Sequence, residues 1–163
     1  MLKESTLLVC KTLAELAKVI KPGITTADLD KLAEEFIRDN GATPAFKGYN
    51  GFPASLCTSV NDQVVHGIPS DKVVLKDGDI ISVDCGTFKN GFVGDNAYTF
   101  AVGEISDEVL PMVSEVNDNI YMNAKLFERV KAVYDSQDEM NYTTEQKMLL
   151  VYFTEASLLL FRK

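Results

Sequence analysis

Two aspartates, Asp84 and Asp95, lie in a stretch whose pattern predicts a β-hairpin. Its turn is the Asn90-Gly91 pair, which is the strongest short-range hairpin signal because a type I′ turn needs positive φ at both central residues. Since side chains alternate along a strand, both aspartates fall on one face as diagonal neighbours, with Cα atoms about 7–8 Å apart. The predicted register pairs Asp84 with Ala97 and Gly86 with Asp95. The two carboxylates therefore point into the same space.

Two carboxylates on one face of a half-buried sheet repel each other unless a cation binds between them. A hard divalent cation is the ligand that this pair predicts. The alternative is that both aspartates lie near strand ends and face water, which is their usual environment. The flanking residues favour metal binding, because Gly86 and Gly94 would leave space beside the two aspartates. The neighbouring residues are also apolar: Ile80, Ile81, Val83, Phe92 and Val93. The residues by themselves leave both interpretations open.

His66 is the one histidine of the chain, and it follows a predicted strand on a loop fixed by Gly67 and Pro69. A lone histidine is more often structural or merely exposed than catalytic. A loop of this kind is nevertheless where catalytic groups tend to lie. Three residues upstream have the same ambiguity and would be core residues in isolation: Tyr49, Phe52 and Cys57.

Composition limits the class of protein. The 163 residues are 46% hydrophobic and 25% charged, which is typical of a soluble globular domain. A net charge of −8 argues against nucleic acid as the main ligand. Three cysteines without paired spacing argue against a disulfide framework, and they favour a cytoplasmic setting. No apolar run reaches the ~18 residues that a membrane span needs.

The elements that must position these residues follow from periodicity. Apolar residues at helical spacing predict a helix over about 4–21, which Pro22-Gly23 ends. Thr25 or Thr26 caps a second helix that ends at Gly41. A short strand is predicted within 54–60, followed by a turn at Asn61-Asp62. We interpret both helices as scaffold.

Two stretches, GYNGFPASLCTSVNDQVVHGIP and DGDIISVDCGTFKNGFVGDNAYTF, resemble the first half of a type I methionine aminopeptidase. That family consists of metallo-exopeptidases that remove the initiator methionine from new proteins. The similarity runs from about residue 3 to about residue 113 and includes PGITTADLD and EEFIRDNGATPAF. The resemblance implies an α+β fold, the first half of a pita-bread fold, with an antiparallel sheet and helices packed on one face.

The resemblance also implies a site. Asp84 and Asp95 match the two metal-binding aspartates of the family, and His66 matches its catalytic, substrate-contacting histidine. The family's methionine pocket corresponds to Tyr49, Phe52 and Cys57. Two divalent metal ions would activate a shared water, and cobalt, manganese, iron and zinc are not distinguishable from sequence. The implied substrate is a peptide or nascent chain that begins with methionine, and the ribosome is a further implied partner.

The second half of such enzymes supplies one histidine and two glutamates as further metal ligands, yet no histidine follows His66. We therefore divide the chain into residues 1–115, the aminopeptidase-like part, and residues 116–163, a divergent and mostly helical tail with helical runs at 126–134 and 146–161. The expectation is a truncated or altered copy with little activity by itself.

Two alternatives remain open. The first is a non-enzymatic module that binds peptide N-termini in the remnant pocket or a partner through its tail helix. The second is a site completed by self-association or by a separate second-half polypeptide. Neither alternative involves nucleic acid or a membrane.

Overall fold

The computed structural model describes residues 2–118. These residues form an α+β arrangement of helices around one antiparallel sheet: α1 (Leu2–Ala17), α2 (Thr26–Asp39), β1 (Thr43–Pro44), a 3-10 turn (Tyr49–Gly51), β2 (Leu56–Val60), β3 (Ile80–Lys89), β4 (Phe92–Ala101) and α3 (Leu110–Asp118). The helical runs predicted at 126–134 and 146–161 lie outside the described residues. Helix α3 runs across the predicted boundary at residue 115, so the two-part division stays a prediction.

Strand β3 is the centre of the sheet. It pairs with β4 along its whole length, and on its other side it pairs with β2 and, nearer its end, with β1. All of these pairings are antiparallel, as expected. Because β3 has neighbours on both sides, the residues it carries are held more firmly than those of an edge strand.

The predicted hairpin is confirmed. Asn90 and Gly91 have φ angles of 52° and 83°, as a type I′ turn requires. The register pairs Asp84 with Ala97 and Gly86 with Asp95, as predicted. The local turn sequence therefore fixed which residues of the two strands share a face.

Helices α1 and α2 pack on one face of the sheet and bury its main core. Side chains at Ile81, Val83 and Cys85 point into this core from β3, and Leu16 and Leu29 meet them from the two helices. Alternation along β3 sends the intervening residues to the other side. We call that other side, which faces away from α1 and α2, the open face.

Helix α3 covers one end of the open face. Its Val113 forms a small cluster with Ile80 of β3, and Asn117 exchanges hydrogen bonds with the backbone of Thr99 on β4. The Asn117 Nδ2 donates to the Thr99 oxygen at 2.7 Å, and its Oδ1 accepts from the Thr99 nitrogen at 3.0 Å. This side chain satisfies backbone groups that a further strand would otherwise pair.

The first helix ends earlier than the periodicity predicts. It stops at Ala17 rather than near residue 21, and a turn follows in which Val19 and Ile20 both donate to the Leu16 oxygen. The residue before a proline is disfavoured in helical conformation, so the segment leading to Pro22 unwinds. For α2 the predicted cap is confirmed, because the Thr25 side chain accepts from the Asp28 nitrogen in a capping box.

Candidate metal and peptide site

Asp84 and Asp95 both lie on the open face. Asp84 is partly buried on the central strand, and Asp95 is exposed on β4. Their cross-strand partners are Ala97 and Gly86, which makes the two carboxylates diagonal neighbours. The structure thus brings the two predicted ligands onto one surface, and their role as metal ligands stays a prediction.

The negative charge of Asp84 and Asp95 affects the thiol of Cys85 on the other face of the sheet. Cys85 lies between the two helices and the aspartates, with its side chain in the core. Burial raises the pKa of the Cys85 thiol far above its usual range, and the charges of Asp84 and Asp95 add to the rise. The thiol therefore stays neutral, and the open face is the side on which a cation would compensate the two carboxylates.

The donor set fits one half of a hard-cation site. Carboxylate oxygens are the ligands that small divalent cations prefer, and Asp95 is exposed to the water that would complete a coordination shell. Among residues 2–118, no third histidine, cysteine, aspartate or glutamate joins the pair in a metal-binding group. Further protein ligands would have to come from outside this part of the chain.

Cys57 lies beside Asp84. The two residues are direct cross-strand partners of β2 and β3, so their side chains share the open face. Cys57 is only 5% exposed, whereas Asp95 on the same face is exposed. A buried sulfur next to a predicted metal ligand is compatible with the predicted pocket wall.

The turn that carries Tyr49 and Phe52 is closed by its own backbone. The Gly48 nitrogen donates to the Phe52 oxygen at 2.8 Å, and the Phe52 nitrogen donates to the Tyr49 oxygen at 2.9 Å. Tyr49 is 54% exposed and Phe52 is partly buried. Tyr49 is therefore accessible to a ligand, and Phe52 is accessible in part.

His66 lies on the loop that borders β2. Its φ angle is 52°, in the left-handed region that few non-glycine residues adopt, and its side chain is exposed. The next residue, Gly67, accepts a hydrogen bond from the Thr58 nitrogen at 2.8 Å. The loop thus places His66 along the outer edge of the strand that carries Cys57, and strained conformations of this kind concentrate at functional sites.

The predicted space beside the aspartates is filled. Gly86 and Gly94 were expected to leave room for a ligand, and this interpretation is wrong. A Cβ on Gly86 would lie 2.5 Å from Cε1 of Phe46, and a Cβ on Gly94 would lie 2.6 Å from the Ser5 carbonyl carbon. The two glycines admit an aromatic ring and a helix backbone, on opposite faces of the hairpin.

Asp30 is a residue that the sequence analysis missed. Its Oδ1 accepts from the backbone nitrogens of Ser55 and Leu56, both at 2.8 Å, and so ties α2 to the beginning of β2. Burial raises the pKa of Asp30, and these two hydrogen bonds only partly oppose the rise. Nothing in the sequence of α2 signals that this carboxylate reaches a strand 26 residues away.

Replacing Asp30 separates its hydrogen bonds from its charge. Asp30→Ala leaves two backbone donors without a partner, and we expect it to lower the unfolding free energy by about 2 kcal/mol. Asp30→Asn keeps an acceptor oxygen and should be as stable as the parent at neutral pH. Because burial raises the folded pKa, the part of the stability that depends on protonation of Asp30 is complete below the ordinary carboxyl pKa of about 4 and is lost as pH rises through the folded value, whereas the two hydrogen bonds remain.

Urea unfolding of the parent and both Asp30 variants across the acidic range checks this. The Asn variant should lack the part of the pH dependence that Asp30 contributes. An Asn variant as unstable as the Ala variant at pH 7 would show that the charge, and not the acceptor geometry, holds β2.

Comparison with known proteins agrees with this geometry. The chain matches the model of metallopeptidase family M24 over residues 1–140, and it belongs to that family. Its relatives include methionine aminopeptidases: it is 56% identical over 114 residues to that of Clostridium acetobutylicum, covering 70% of this chain and 46% of the relative. It is 51% identical over 120 residues to methionine aminopeptidase 1 of Bacillus subtilis, covering 74% and 48%. The predicted resemblance to this group is confirmed.

Solved structures confirm the fold. The methionine aminopeptidase of Rickettsia prowazekii superposes with a TM-score of 0.68 at 32% identity, covering 81% of this chain and 49% of that one. The enzyme of Thermotoga maritima gives 0.66 at 36% identity, with the same coverage. The α+β half of a pita-bread fold is therefore correct. The chain spans about half the length of the curated relatives it matches.

Among the helices that the structure describes, none combines the length and the apolar character that crossing a bilayer demands.

Proposed function

We propose that residues 2–118 form one half of a methionine aminopeptidase site. Asp84 and Asp95 contribute carboxylates to a divalent-metal centre, and the adjacent pocket residues hold an N-terminal methionine: Tyr49, Phe52, Cys57 and His66. The observation that supports this most directly is the register of the sheet, which places Cys57 opposite Asp84 and Asp95 one row away on the same face. Membership of a metallopeptidase family supports the choice of a metal.

Each residue has a distinct task in this proposal. The two aspartates hold positive charge in front of the sheet, where bound divalent ions would lower the pKa of a water and polarise the scissile carbonyl. His66 forms a hydrogen bond to the peptide beside that carbonyl. Aromatic rings and the Cys57 sulfur make a soft wall that suits a flexible thioether. The substrate is then a peptide or nascent chain that begins with methionine, which is compatible with a cytoplasmic location.

Hydrolysis requires more ligands than these two aspartates. The chain has a single histidine, and His66 belongs to the proposed pocket, so no imidazole remains for the metal. Losing one outer partner of a metal typically lowers affinity or activity by about 10–100-fold, and losing direct ligands lowers it further. We therefore propose that the 163-residue chain binds its metal weakly and hydrolyses little by itself.

An assay of methionine release tests both parts of this proposal. The purified chain is incubated with a Met-Ala-Ser peptide and cobalt or manganese, with Asp84→Asn and Asp95→Asn as matched variants. Slow release that disappears in both variants would support the site. Rapid turnover by the monomeric chain would contradict the expected weakness, and slow turnover that both variants retain would assign it to a contaminant.

The binding-module alternative is favoured by one observation, the absence of a third metal-binding side chain beside Asp84 and Asp95 within residues 2–118. Calorimetric titration with the same peptide, with and without a chelator, separates the two functions. Binding that survives chelation would favour the module. Sedimentation with and without manganese then tests whether self-association or a second-half polypeptide completes the site.

A further inference from the structure

Helix α1 contacts the hairpin directly behind Asp95. Ser5 of α1 and Thr87 of β3 are both fully buried, and they exchange two hydrogen bonds. The Ser5 hydroxyl donates to the Thr87 oxygen at 2.8 Å, and the Thr87 hydroxyl donates to the Ser5 oxygen at 3.0 Å. This reciprocal pair joins residues 82 positions apart and fixes the height of α1 above the sheet.

The same contact continues onto β4. Gly94 is the cross-strand partner of Thr87, and a Cβ at Gly94 would lie 2.6 Å from both the Ser5 carbonyl carbon and the Thr6 nitrogen. The backbone of α1 therefore rests on Gly94 with no room for a methyl group. Gly94 immediately precedes Asp95, so α1 limits how far this part of β4 can move backward.

A second contact limits the hairpin from the front. Gly86 is the cross-strand partner of Asp95, and the ring of Phe46 lies over it. A backbone hydrogen bond joins the same two segments, in which the Ala45 nitrogen donates to the Gly86 oxygen at 2.9 Å. We call these two contacts together the hairpin clamp: Ser5, Thr87 and Gly94 behind, Phe46 and Gly86 in front.

Strand β4 needs such support. In the part of the chain that the structure covers, β4 pairs only with β3, and the Asn117 contact lies toward its other end at Thr99. A strand paired on one side can twist about the shared ladder, which would swing Asp95 relative to Asp84. Metal ligands must lie within about 0.2 Å of their required distances, so such twisting weakens binding.

We propose that the hairpin clamp positions the Asp95 carboxylate against that of Asp84 and thereby sets the affinity of the pair for a divalent cation. This inference rests on the proposed metal site. The clamp residues do not touch the cation, and they act through the backbone of the two strands. They are positioning residues, comparable to the outer partners that orient metal ligands elsewhere.

Manganese titration of the full 163-residue chain tests the inference. Thr87→Val removes the hydroxyl at nearly constant volume, and Gly94→Ala inserts a methyl group under α1. We expect each to weaken manganese binding about 10-fold, whereas Thr87→Ser, which keeps the hydroxyl, should bind as the parent does. Thr26→Val is the matched control, because it removes a buried hydroxyl of α2 that donates to the Ser70 oxygen at 3.1 Å and lies outside the clamp.

Two measurements distinguish a change in the position of the Asp95 carboxylate from a loss of stability of the whole chain. Affinities are compared under conditions in which every variant is folded, and amide chemical shifts of Asp84 and Asp95 are recorded without metal. Shifts that move in Thr87→Val but not in Thr26→Val, together with weaker binding only in the former, support the clamp. Parent-like binding and shifts in Thr87→Val overturn it, even if Gly94→Ala fails to fold. A parent chain that binds no manganese would overturn the proposed metal site itself, at the first titration.

Discussion

Gly67→Ala should cause the largest loss of stability of any single methyl addition in residues 2–118. A Cβ at Gly67 would overlap the carbonyl oxygen of Thr58 and lie 2.7 Å from its carbonyl carbon. These atoms belong to β2, which is held by the central strand and cannot move aside. Adding methyl groups to packed sites costs about 1–3 kcal/mol, and loss of the Thr58–Gly67 hydrogen bond adds about 1 kcal/mol. We expect a total near 3 kcal/mol.

Urea unfolding measures this loss, and amide exchange locates it. The Thr58 amide donates to Gly67 at 2.8 Å, so it should be protected in the parent and exchange rapidly in the variant if the His66 loop detaches. Gly51→Ala is a suitable control, because its φ of 81° is strained for alanine but no atom lies within 4 Å of the added carbon. Equal stability of the two variants, with Thr58 still protected, would contradict the expected overlap.

The local parts of the fold could be predicted from the sequence because they depend on neighbouring residues. Asn90 and Gly91 favour positive φ by themselves, and the register of β3 and β4 follows from the turn. Thr25 caps α2 through a residue three positions away. Each of these signals combines residues that are close in the chain, so no tertiary information was needed.

Contacts between distant residues could not be predicted in the same way. A glycine indicates that something approaches its backbone, but the sequence does not say whether that is a ligand, a ring or a helix. Gly86 and Gly94 were therefore assigned to a cation, and the structure shows Phe46 and α1 there instead. Asp30 was missed for a related reason, because its role becomes visible only when β2 lies beside α2. That Asp84 and Asp95 share one face was predicted, since the register of the hairpin and alternation along its strands decide it.

Asp84→Asn and Asp95→Asn should abolish stabilisation by divalent cations while leaving the metal-free chain at least as stable. The two carboxylates are diagonal neighbours on one face, so neutralising either one reduces like-charge repulsion without removing buried apolar surface. Binding to the folded state alone stabilises by about 2.7 kcal/mol when the cation is at one hundred times its Kd. A variant that binds 100-fold more weakly would retain only about 0.4 kcal/mol at the same concentration.

Thermal unfolding with and without manganese checks this prediction, with Asp107→Asn as the control because Asp107 is an exposed carboxylate in the segment before α3. The control should keep the full manganese-induced rise in Tm, which rules out a general effect of net charge. If Asp84→Asn and Asp95→Asn also keep it, the cation binds elsewhere and the carboxylate pair is an ordinary solvated one. If Asp84 and Asp95 bind a cation, each variant keeps the stability of the metal-free chain and loses the stabilisation by manganese. If the carboxylates instead served packing, their replacement would lower stability in both conditions.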